Sequence, residues 1–249
     1  MIDKKQLARI TQKTDLNLYQ QEKDYLLKLF LYNYYRKHDD AVFKGGTCIK
    51  YLYGLPRFSE DLDFNIGNTP REFEKQVENT LKSIRDLGIE SHFIKKEMFP
   101  DAFTCEVGFL GPLYIEDKTR NKFRIDAGKR TGTLREPKWG MITSEYPDTT
   151  QNYLVLAMDE QEMLAEKIIA IMRRGKGRDL YDTWFLLKKG VILDKRVLKS
   201  KTDKEGIRIK NTSILTRREY ERDMTKLTRQ MMPYLQVKKE VTRALTDRG

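Results

Sequence analysis

Residues 41–66 read AVFKGGTCIKYLYGLPRFSEDLDFNI, and the architecture of the chain is predicted from this stretch outward. The apolar run at 41–43 indicates a buried strand, which stops at two glycines and a threonine. Residues 48–53 then have apolar side chains at helical spacing, and the Gly-Leu-Pro sequence at 54–56 ends that helix. Residues 61–66 alternate polar and apolar side chains, as a half-buried strand does. The stretch therefore predicts a strand, a glycine turn, a helix and a second strand.

The second strand carries two neighbouring carboxylates. Asp61 and Asp63 are two residues apart, and residues at that spacing point to the same face of a strand. Side-by-side carboxylates repel each other unless a cation lies between them. Mg²⁺ commonly binds one or two carboxylates together with substrate phosphates. The pair therefore predicts a site for Mg²⁺ or Mn²⁺.

The glycine turn predicts a phosphate-binding site. Gly45 and Gly46 allow the backbone to approach a phosphate closely, and the helix start offers unpaired N–H groups with a partial positive charge. Thr47 is a candidate N-cap, whose hydroxyl can alternatively face a nucleotide. A phosphate site followed by a metal-binding Asp-x-Asp is the arrangement expected of a nucleotidyltransferase.

Length and charge limit the classes of protein to consider. The 249 residues are enough for one large domain or two small ones, and 48 Lys and Arg against 37 Asp and Glu give a net charge of +11. That excess favours a polyanionic partner, although a basic surface that only keeps the protein soluble would explain the charge equally well.

Metal-site, disulfide and membrane signals are weak. The two cysteines, Cys48 and Cys105, and the two histidines, His38 and His92, lack the spacing of a zinc site, and a disulfide framework is not supported. No apolar leader follows Met1, and no run approaches the roughly 18 apolar residues of a membrane span. A cytoplasmic protein with no membrane partner is the expectation.

The remaining chain predicts further strands with helices outside them, hence a mixed α/β sheet. A division after residue 150 would separate this domain, residues 1–150, from a helical domain, residues 151–249. The predicted helices are 18–37, 70–88, a pair from residue 159 onward, 216–235 and 238–245. The predicted strands are 89–94, 104–109, 113–115 and 122–126, whereas 129–152 and 195–210 are predicted as basic loops.

Asp126 is the candidate for a third carboxylate. It ends an apolar strand that can pair beside the strand of Asp61 and Asp63. A third acid there could deprotonate an attacking hydroxyl or complete a two-metal site. Two alternatives remain open: Asp126 could simply begin a turn before Ala127-Gly128, and Glu106 on an earlier strand could be the third carboxylate instead.

Lys167 lies in an apolar helical segment, where an ammonium group is costly unless it is paired. The sequence Gly-Lys-Gly at 175–177 interrupts that segment, and a second helix then begins with Arg178, Asp179 and, one turn on, Asp182. Lys167 and an aspartate beyond the glycines could both reach a nucleotide, with the lysine neutralising phosphate charge. The alternative is a structural ion pair that joins the two helices.

These motifs together resemble the AbiEii/AbiGii nucleotidyltransferase family, the toxin half of abortive-infection toxin–antitoxin pairs. The resemblance spans roughly residues 20–190. It rests on the sequences FKGGT at 43–47, YGLPRFSEDLDF at 53–64, EKIIA at 166–170 and RDLYD at 178–182.

The resemblance implies a polymerase-β-like nucleotidyltransferase domain followed by a helical domain. It also implies magnesium-dependent nucleotide transfer from a nucleoside triphosphate, in some members onto tRNA with a block of translation, a role in phage defence, and a cognate antitoxin. On that analogy Asp61, Asp63 and Asp126 bind metal, and Lys167 and Asp182 complete the catalytic site. The residues assigned to nucleotide binding are Lys44, Gly45, Gly46, Thr47, Arg57, Ser59, Arg178 and Asp179.

Two other functions fit the same residues. A nucleotidyltransferase could modify a small molecule, such as an antibiotic, or a protein hydroxyl in place of RNA. A non-catalytic RNA-binding or partner-binding module could also retain this scaffold. It would bind nucleic acid in a salt-dependent way without magnesium-dependent turnover. The intact Asp61, Asp63 and Lys167 favour an enzyme.

Overall fold

The computed structural model describes residues 1–129, 132–207 and 215–246. The chain divides into two compact units. Unit 1 contains Met1–Tyr53, Phe58–Gly132 and Pro137–Ala157, and unit 2 contains Gly54–Arg57, Thr133–Glu136 and Met158–Gly249. Unit 2 therefore includes two short segments from the earlier part of the sequence as well as the C-terminal helices.

Unit 1 is built from helices and one seven-stranded sheet. Its helices are α1 (Lys4–Thr11), α2 (Leu18–Tyr35), α3 (Gly45–Tyr53) and α4 (Pro70–Asp86), with a 3-10 turn at Asp117–Thr119. Its strands are β1 (Ala41–Lys44), β2 (Leu62–Ile66), β3 (Ser91–Phe99), β4 (Ala102–Phe109), β5 (Asn121–Gly128), β6 (Lys138–Thr143) and β7 (Asn152–Ala157).

The sheet has the order β3-β4-β5-β2-β1-β7-β6 and contains both parallel and antiparallel pairs. Strands β2 and β5 pair in parallel, as do β1 and β7, whereas β1 pairs antiparallel with β2. The predicted mixed α/β sheet is confirmed.

One face of the sheet is apolar and covered by helices. Phe64 of β2 packs against Tyr34 of α2 and Phe73 of α4, with ring centroids 5.8 Å and 5.5 Å away. Residues of β5 alternate between buried and exposed, with Phe123 and Ile125 buried. Because side chains alternate between faces, Arg124 and Asp126 lie on the other, polar face.

Helix boundaries in unit 1 follow local capping. Asn17 caps α2 and Thr69 caps α4, each in a reciprocal box with a residue three positions on. Pro70 occupies the first turn of α4, where its missing N–H costs nothing. Both helices begin where the sequence predicts them to begin.

Unit 2 is helical. Its helices are α5 (Glu160–Arg174), α6 (Gly177–Lys188), α7 (Lys195–Glu205), α8 (Arg217–Met224) and α9 (Tyr234–Thr246). Gly175 ends α5 in a left-handed conformation with φ of 54°, a region that favours glycine. None of the helices in the described part of the chain is long and apolar enough to cross a membrane.

Several local predictions are wrong. Strand β6 forms within the predicted loop 129–152 and β7 starts at its end, while residues 130 and 131 lie outside the described part of the chain. Residues 113–115 form a turn rather than a strand, since the Tyr114 N–H donates to the Gly111 carbonyl at 3.0 Å. Strand β7 forms by pairing with β1, which lies far from it in the sequence, and β6 forms by pairing with β7. The turn at 113–115 forms through a local hydrogen bond that the sequence pattern does not indicate.

Two C-terminal predictions also need correction. The predicted basic loop 195–210 contains α7, capped by the carboxylate of Asp194 and ended by Gly206, while residues 208–210 lie outside the described part of the chain. The predicted helix 216–235 is confirmed only over α8, and the final helix begins at Tyr234 rather than at residue 238.

Candidate active site

Asp63 and Asp126 form the centre of the candidate site in unit 1. They are direct partners across the parallel strands β2 and β5. Directly paired residues project to the same face and lie about 5 Å apart. Both side chains are half-buried. The polar face of the sheet therefore presents two neighbouring carboxylates at one level.

Gly45 brings the glycine turn against Asp63. It has φ of 80°, and a β-carbon at this position would overlap the Oδ2 atom of Asp63 and lie 2.9 Å from its carboxylate carbon. Only glycine leaves room for this carboxylate. Lys44, the residue before it, pairs with Asp63 across β1 and β2. The turn and the metal-binding candidate thus share one location.

Thr47 ties the start of α3 to the segment that enters β2. Its buried hydroxyl lies 2.5 Å from the Asp61 carbonyl oxygen and 2.9 Å from the Ser59 hydroxyl. The Thr47 hydroxyl donates to the carbonyl and accepts from Ser59. These contacts give Thr47 a positioning role, because they fix the backbone of Asp61 relative to the glycine turn.

Arg124 neutralises the acidic face. Its Nε atom lies 2.8 Å from the Asp126 carboxylate, which also accepts a hydrogen bond from the Thr104 hydroxyl at 2.7 Å. Partial burial lowers the pKa of Arg124, but the charges of Asp126, Asp61 and Asp63 outweigh that effect and raise it. The guanidinium therefore lies within the field of all three aspartates.

Glu106 has a different location. It lies on β4 opposite Arg124, one strand farther from Asp63, and pairs with Lys122 at 3.0 Å. Asp126, and not Glu106, is in register with Asp63. The register supports Asp126 as the third carboxylate.

The carboxylates could supply part of the coordination shell of a divalent metal. Within residues 1–129, 132–207 and 215–246, no three His, Cys, Asp or Glu side chains gather closely enough to hold a metal on protein ligands alone. Mg²⁺ usually takes one or two carboxylates and completes its shell with substrate phosphates and water. The paired oxygens of Asp63 and Asp126 fit that mode.

The site residues of unit 2 form a buried ion network. The Arg57 guanidinium binds Asp182 through two nitrogens, each 2.6 Å from a carboxylate oxygen, and the Lys167 ammonium lies 2.7 Å from the same carboxylate. All three side chains are buried. Burial alone raises the pKa of Asp182, but the charges of Arg57 and Lys167 outweigh it and lower the pKa to about 2.

Asp179 extends this network. It accepts hydrogen bonds from Arg174 at 2.7 Å and 2.8 Å, and the Lys167 ammonium lies 3.5 Å away. Arg178, the neighbouring residue in the first turn of α6, is half-buried. The ion pair between α5 and α6 that the sequence suggests as an alternative is therefore present. The catalytic roles of Lys167 and Asp182 and the nucleotide-binding roles of Arg57, Arg178 and Asp179 stay predictions.

Sequence reasoning missed two arginines that neutralise these acids. Arg124 is two residues before Asp126 on the same strand, and that spacing alone could have identified it as a same-face partner. Arg174 is five residues before Asp179 with a helix break between them, so no helical or strand spacing relates the two. Only the folded glycine connection brings them together.

The model of the family described as "Nucleotidyl transferase AbiEii toxin, Type IV TA system" matches residues 29–245. The chain belongs to the AbiEii family. It is therefore a nucleotidyltransferase toxin of a type IV toxin–antitoxin family, and the predicted resemblance is confirmed.

Solved structures share the fold of this AbiEii protein. MenT4, a nucleotidyltransferase toxin from Mycobacterium tuberculosis H37Rv, is similar with a TM-score of 0.71 and 16% identity over 99% of this chain and 89% of that chain. JHP933 from Helicobacter pylori is similar with a TM-score of 0.62 and 18% identity over 92% and 91%. No curated protein sequence matches the AbiEii chain significantly. At these identities the structural likeness establishes the fold alone.

Proposed function

We propose that this AbiEii protein transfers a nucleotide from a nucleoside triphosphate to a hydroxyl of an RNA acceptor in a reaction that requires Mg²⁺ or Mn²⁺. One observation carries the proposal: Asp63 is in register with Asp126 on the polar face of the sheet, and its carboxylate packs against Gly45 of the glycine turn. Carboxylate oxygens and the free N–H groups of a helix start are thereby adjacent, which suits a metal-bound triphosphate.

The chemistry assigned to the residues is an in-line displacement. The acceptor oxygen attacks the α-phosphorus, the bond to the bridging oxygen breaks, and pyrophosphate leaves. Asp126 is placed to accept the proton of the attacking hydroxyl after its ion pair with Arg124 opens. A bound Mg²⁺ would neutralise charge on the attacking and leaving oxygens, with Asp63 and Asp126 as protein ligands and substrate phosphates and water completing its shell. The metal-binding role of Asp61 stays a prediction.

The glycine turn would bind the triphosphate. The backbone N–H groups at the start of α3 and the ammonium of Lys44 supply positive potential next to Asp63. Gly45 and Gly46 permit close approach of a phosphate, while Thr47 and Ser59 hold the turn in place. Positioning and electrostatics then account for most of the rate acceleration.

The acceptor is proposed to be RNA, with tRNA as the expected class and inhibition of translation as the consequence. The net charge of +11 supports a polyanionic acceptor over a small neutral one. Membership of a type IV toxin–antitoxin family further supports a cognate antitoxin and a role in phage defence.

The test is transfer of label from each α-labelled triphosphate in turn, with and without Mg²⁺, to total tRNA and to a small-molecule panel. We expect magnesium-dependent labelling of tRNA by the native protein and none by Asp63→Asn, which keeps the side-chain size. Asp39→Asn is the matched control, because this exposed aspartate precedes β1 at the end opposite Lys44. Equal labelling by native protein and Asp63→Asn would rule out the mechanism.

The two alternatives give different outcomes in the same assay. Labelling of a small molecule but not of tRNA would indicate a small-molecule nucleotidyltransferase. Salt-sensitive RNA binding with no label transfer from any triphosphate would indicate a non-catalytic binding module.

A further inference from the structure

Unit 1 contains an aromatic cavity that the proposed catalytic site does not use. It has a volume of about 390 Å³ and is lined by residues of α2, β6 and β7, namely Tyr32, Tyr35, Arg36, Trp139, Tyr153 and Leu154. We call it the aromatic pocket. Sites of 300–1,000 Å³ lined by aromatic side chains with a few polar groups are typical of small-ligand binding.

The rings of the aromatic pocket are held in place by polar contacts behind them. The Tyr35 hydroxyl lies 2.7 Å from the Ala41 carbonyl oxygen, and the Tyr153 hydroxyl donates to the Lys28 carbonyl at 3.0 Å. The ring of Tyr35 meets Trp139 edge to face, with centroids 6.4 Å apart. Trp139 nevertheless remains 52% exposed. A large aromatic surface is therefore fixed in position but open to solvent.

Arg36 gives the aromatic pocket a positive charge. Its guanidinium lies 5.3 Å from the ring centre of Tyr32, and it forms no ion pair with any carboxylate in the described part of the chain. An exposed guanidinium without an acidic partner attracts an anion. Single-stranded nucleic acid is bound through two such features: aromatic rings stack on the base, and a nearby cation contacts the phosphate.

We propose that the aromatic pocket binds one nucleotide of the single-stranded part of the RNA acceptor, with the base against Trp139 and the phosphate at Arg36. This inference rests on the proposed RNA-modifying function. It assigns to the pocket the role of anchoring the acceptor strand at a point separate from the catalytic residues.

Two strand spacings separate the strand of Trp139 from the strand that leads into the glycine turn. Trp139 on β6 is paired with Leu156 on β7, and the next residue, Ala157, is paired with Phe43 on β1 just before Lys44. Strands β6 and β1 are thus two strand spacings, or about 10 Å, apart. A few nucleotides of extended RNA cover that distance.

The test is binding of a fluorescein-labelled 12-residue single-stranded RNA of mixed sequence, followed by anisotropy in EDTA without triphosphate. We expect Trp139→Ala to weaken binding about 10-fold and Trp139→Phe to retain most of it, because stacking needs a ring. Arg36→Ala should weaken binding and reduce the slope of log K against log salt by about one.

Two variants serve as matched controls. Met141→Ala removes an apolar side chain that is 59% exposed two residues along the same strand but does not line the pocket. Arg71→Ala removes an exposed arginine on α4, and with it the same charge as Arg36→Ala. Both should leave the affinity unchanged.

Three outcomes would overturn the inference. Unchanged RNA affinity in both Trp139→Ala and Arg36→Ala would show that RNA does not use the aromatic pocket. Free triphosphate that displaces the RNA from the native protein but not from Trp139→Ala would assign the pocket to a mononucleotide. An equal loss in Met141→Ala would indicate that RNA makes a broad contact along edge strand β6 and does not bind in the aromatic pocket.

The catalytic proposal and the pocket assignment can each be overturned without the other. Label transfer by native protein together with native-like RNA binding by Trp139→Ala would overturn only the pocket assignment. Trp139-dependent RNA binding without any label transfer would overturn only the catalytic proposal.

Discussion

The carboxylate of Asp63 occupies the space that a side chain at Gly45 would fill. A β-carbon at Gly45 would overlap the Oδ2 atom of Asp63, and the backbone at Gly45 has φ of 80°. The glycine is therefore required twice, once by its conformation and once by its neighbour. The glycine turn and the carboxylate of Asp63 on the adjacent strand can lie in contact because Gly45 has no side chain.

Gly45→Ala is expected to reduce label transfer by about 100-fold or more, because the new methyl group displaces the Asp63 carboxylate and misplaced catalytic groups lose rate steeply. The measurement is label transfer at saturating triphosphate, with the folded fraction determined by circular dichroism.

Gly88→Ala separates the effect of backbone conformation from the effect of contact with Asp63. Gly88 has φ of 84° in the same unit, but a β-carbon there would contact nothing within 4 Å. This variant should lose about 1 kcal/mol of unfolding free energy from backbone strain and keep full activity. Equal activity of the two alanine variants would show that contact with Asp63 does not matter.

Asp126→Asn and Glu106→Gln distinguish the two candidates for the third carboxylate. Each acid is paired with a basic residue on β5, Arg124 or Lys122, so that the two substitutions make similar changes in charge. Because only Asp126 is in register with Asp63, we expect Asp126→Asn to lower the transfer rate about 10²- to 10⁴-fold and Glu106→Gln to leave it unchanged. The reverse order of rates would transfer the role to Glu106.

Asp182→Asn is expected to destabilise the protein by roughly 3–5 kcal/mol, because it leaves the buried Arg57 and Lys167 without their counterion. The measurement is the urea midpoint at pH 7. Asp203→Asn is the control, since its ion pair with Lys199 on α7 is exposed and its removal should cause no measurable change. A native-like urea midpoint for Asp182→Asn would show that the buried ion network does not stabilise the fold.

The same network predicts how stability depends on pH. The pKa of Asp182 is about 2 in the folded protein, below its ordinary value of 3.8. A depressed pKa stabilises the folded state above the unfolded value, and this stabilisation is lost as pH falls from about 4 towards 2. Native protein should thus lose on the order of 2 kcal/mol more than Asp182→Asn across this interval. Parallel acid-unfolding curves for the two proteins would contradict this expectation.

Local pattern was enough to predict the elements around the site. The run at 41–43 and the alternation at 61–66 correspond to β1 and β2 within one residue. Helix α3 begins at Gly45, three residues before the predicted helix, so that Thr47 lies inside α3 and the prediction that it is the N-cap is wrong. These signals are strong because an apolar strand, a turn that needs glycine and a half-buried strand each have a distinct short-range signature. The family resemblance used these residues together with EKIIA at 166–170 and RDLYD at 178–182.

Strand β6 could not be predicted from pattern, whereas the apolar run at 153–157 that forms most of β7 is a strand signal that sequence reasoning missed. The apolar side chains Trp139 and Met141 alternate on β6, but both are more than half exposed, so that the alternation does not mark a buried face. These strands form because β7 pairs in parallel with β1, more than a hundred residues earlier in the chain. The aromatic pocket depends on the same pairing and could not be predicted from the sequence either.

The sequence by itself determined which residues are candidates for the chemistry: two glycines at the start of a helix, aspartates two apart at the start of a strand, and a lysine within an apolar helix. The tertiary structure alone decided which groups meet. It set Asp126 rather than Glu106 opposite Asp63, and it joined Arg57 to Asp182 across more than a hundred residues. The physical reason is that strand register and ion pairing depend on which segments pack together, whereas a turn or a strand needs only its own neighbours.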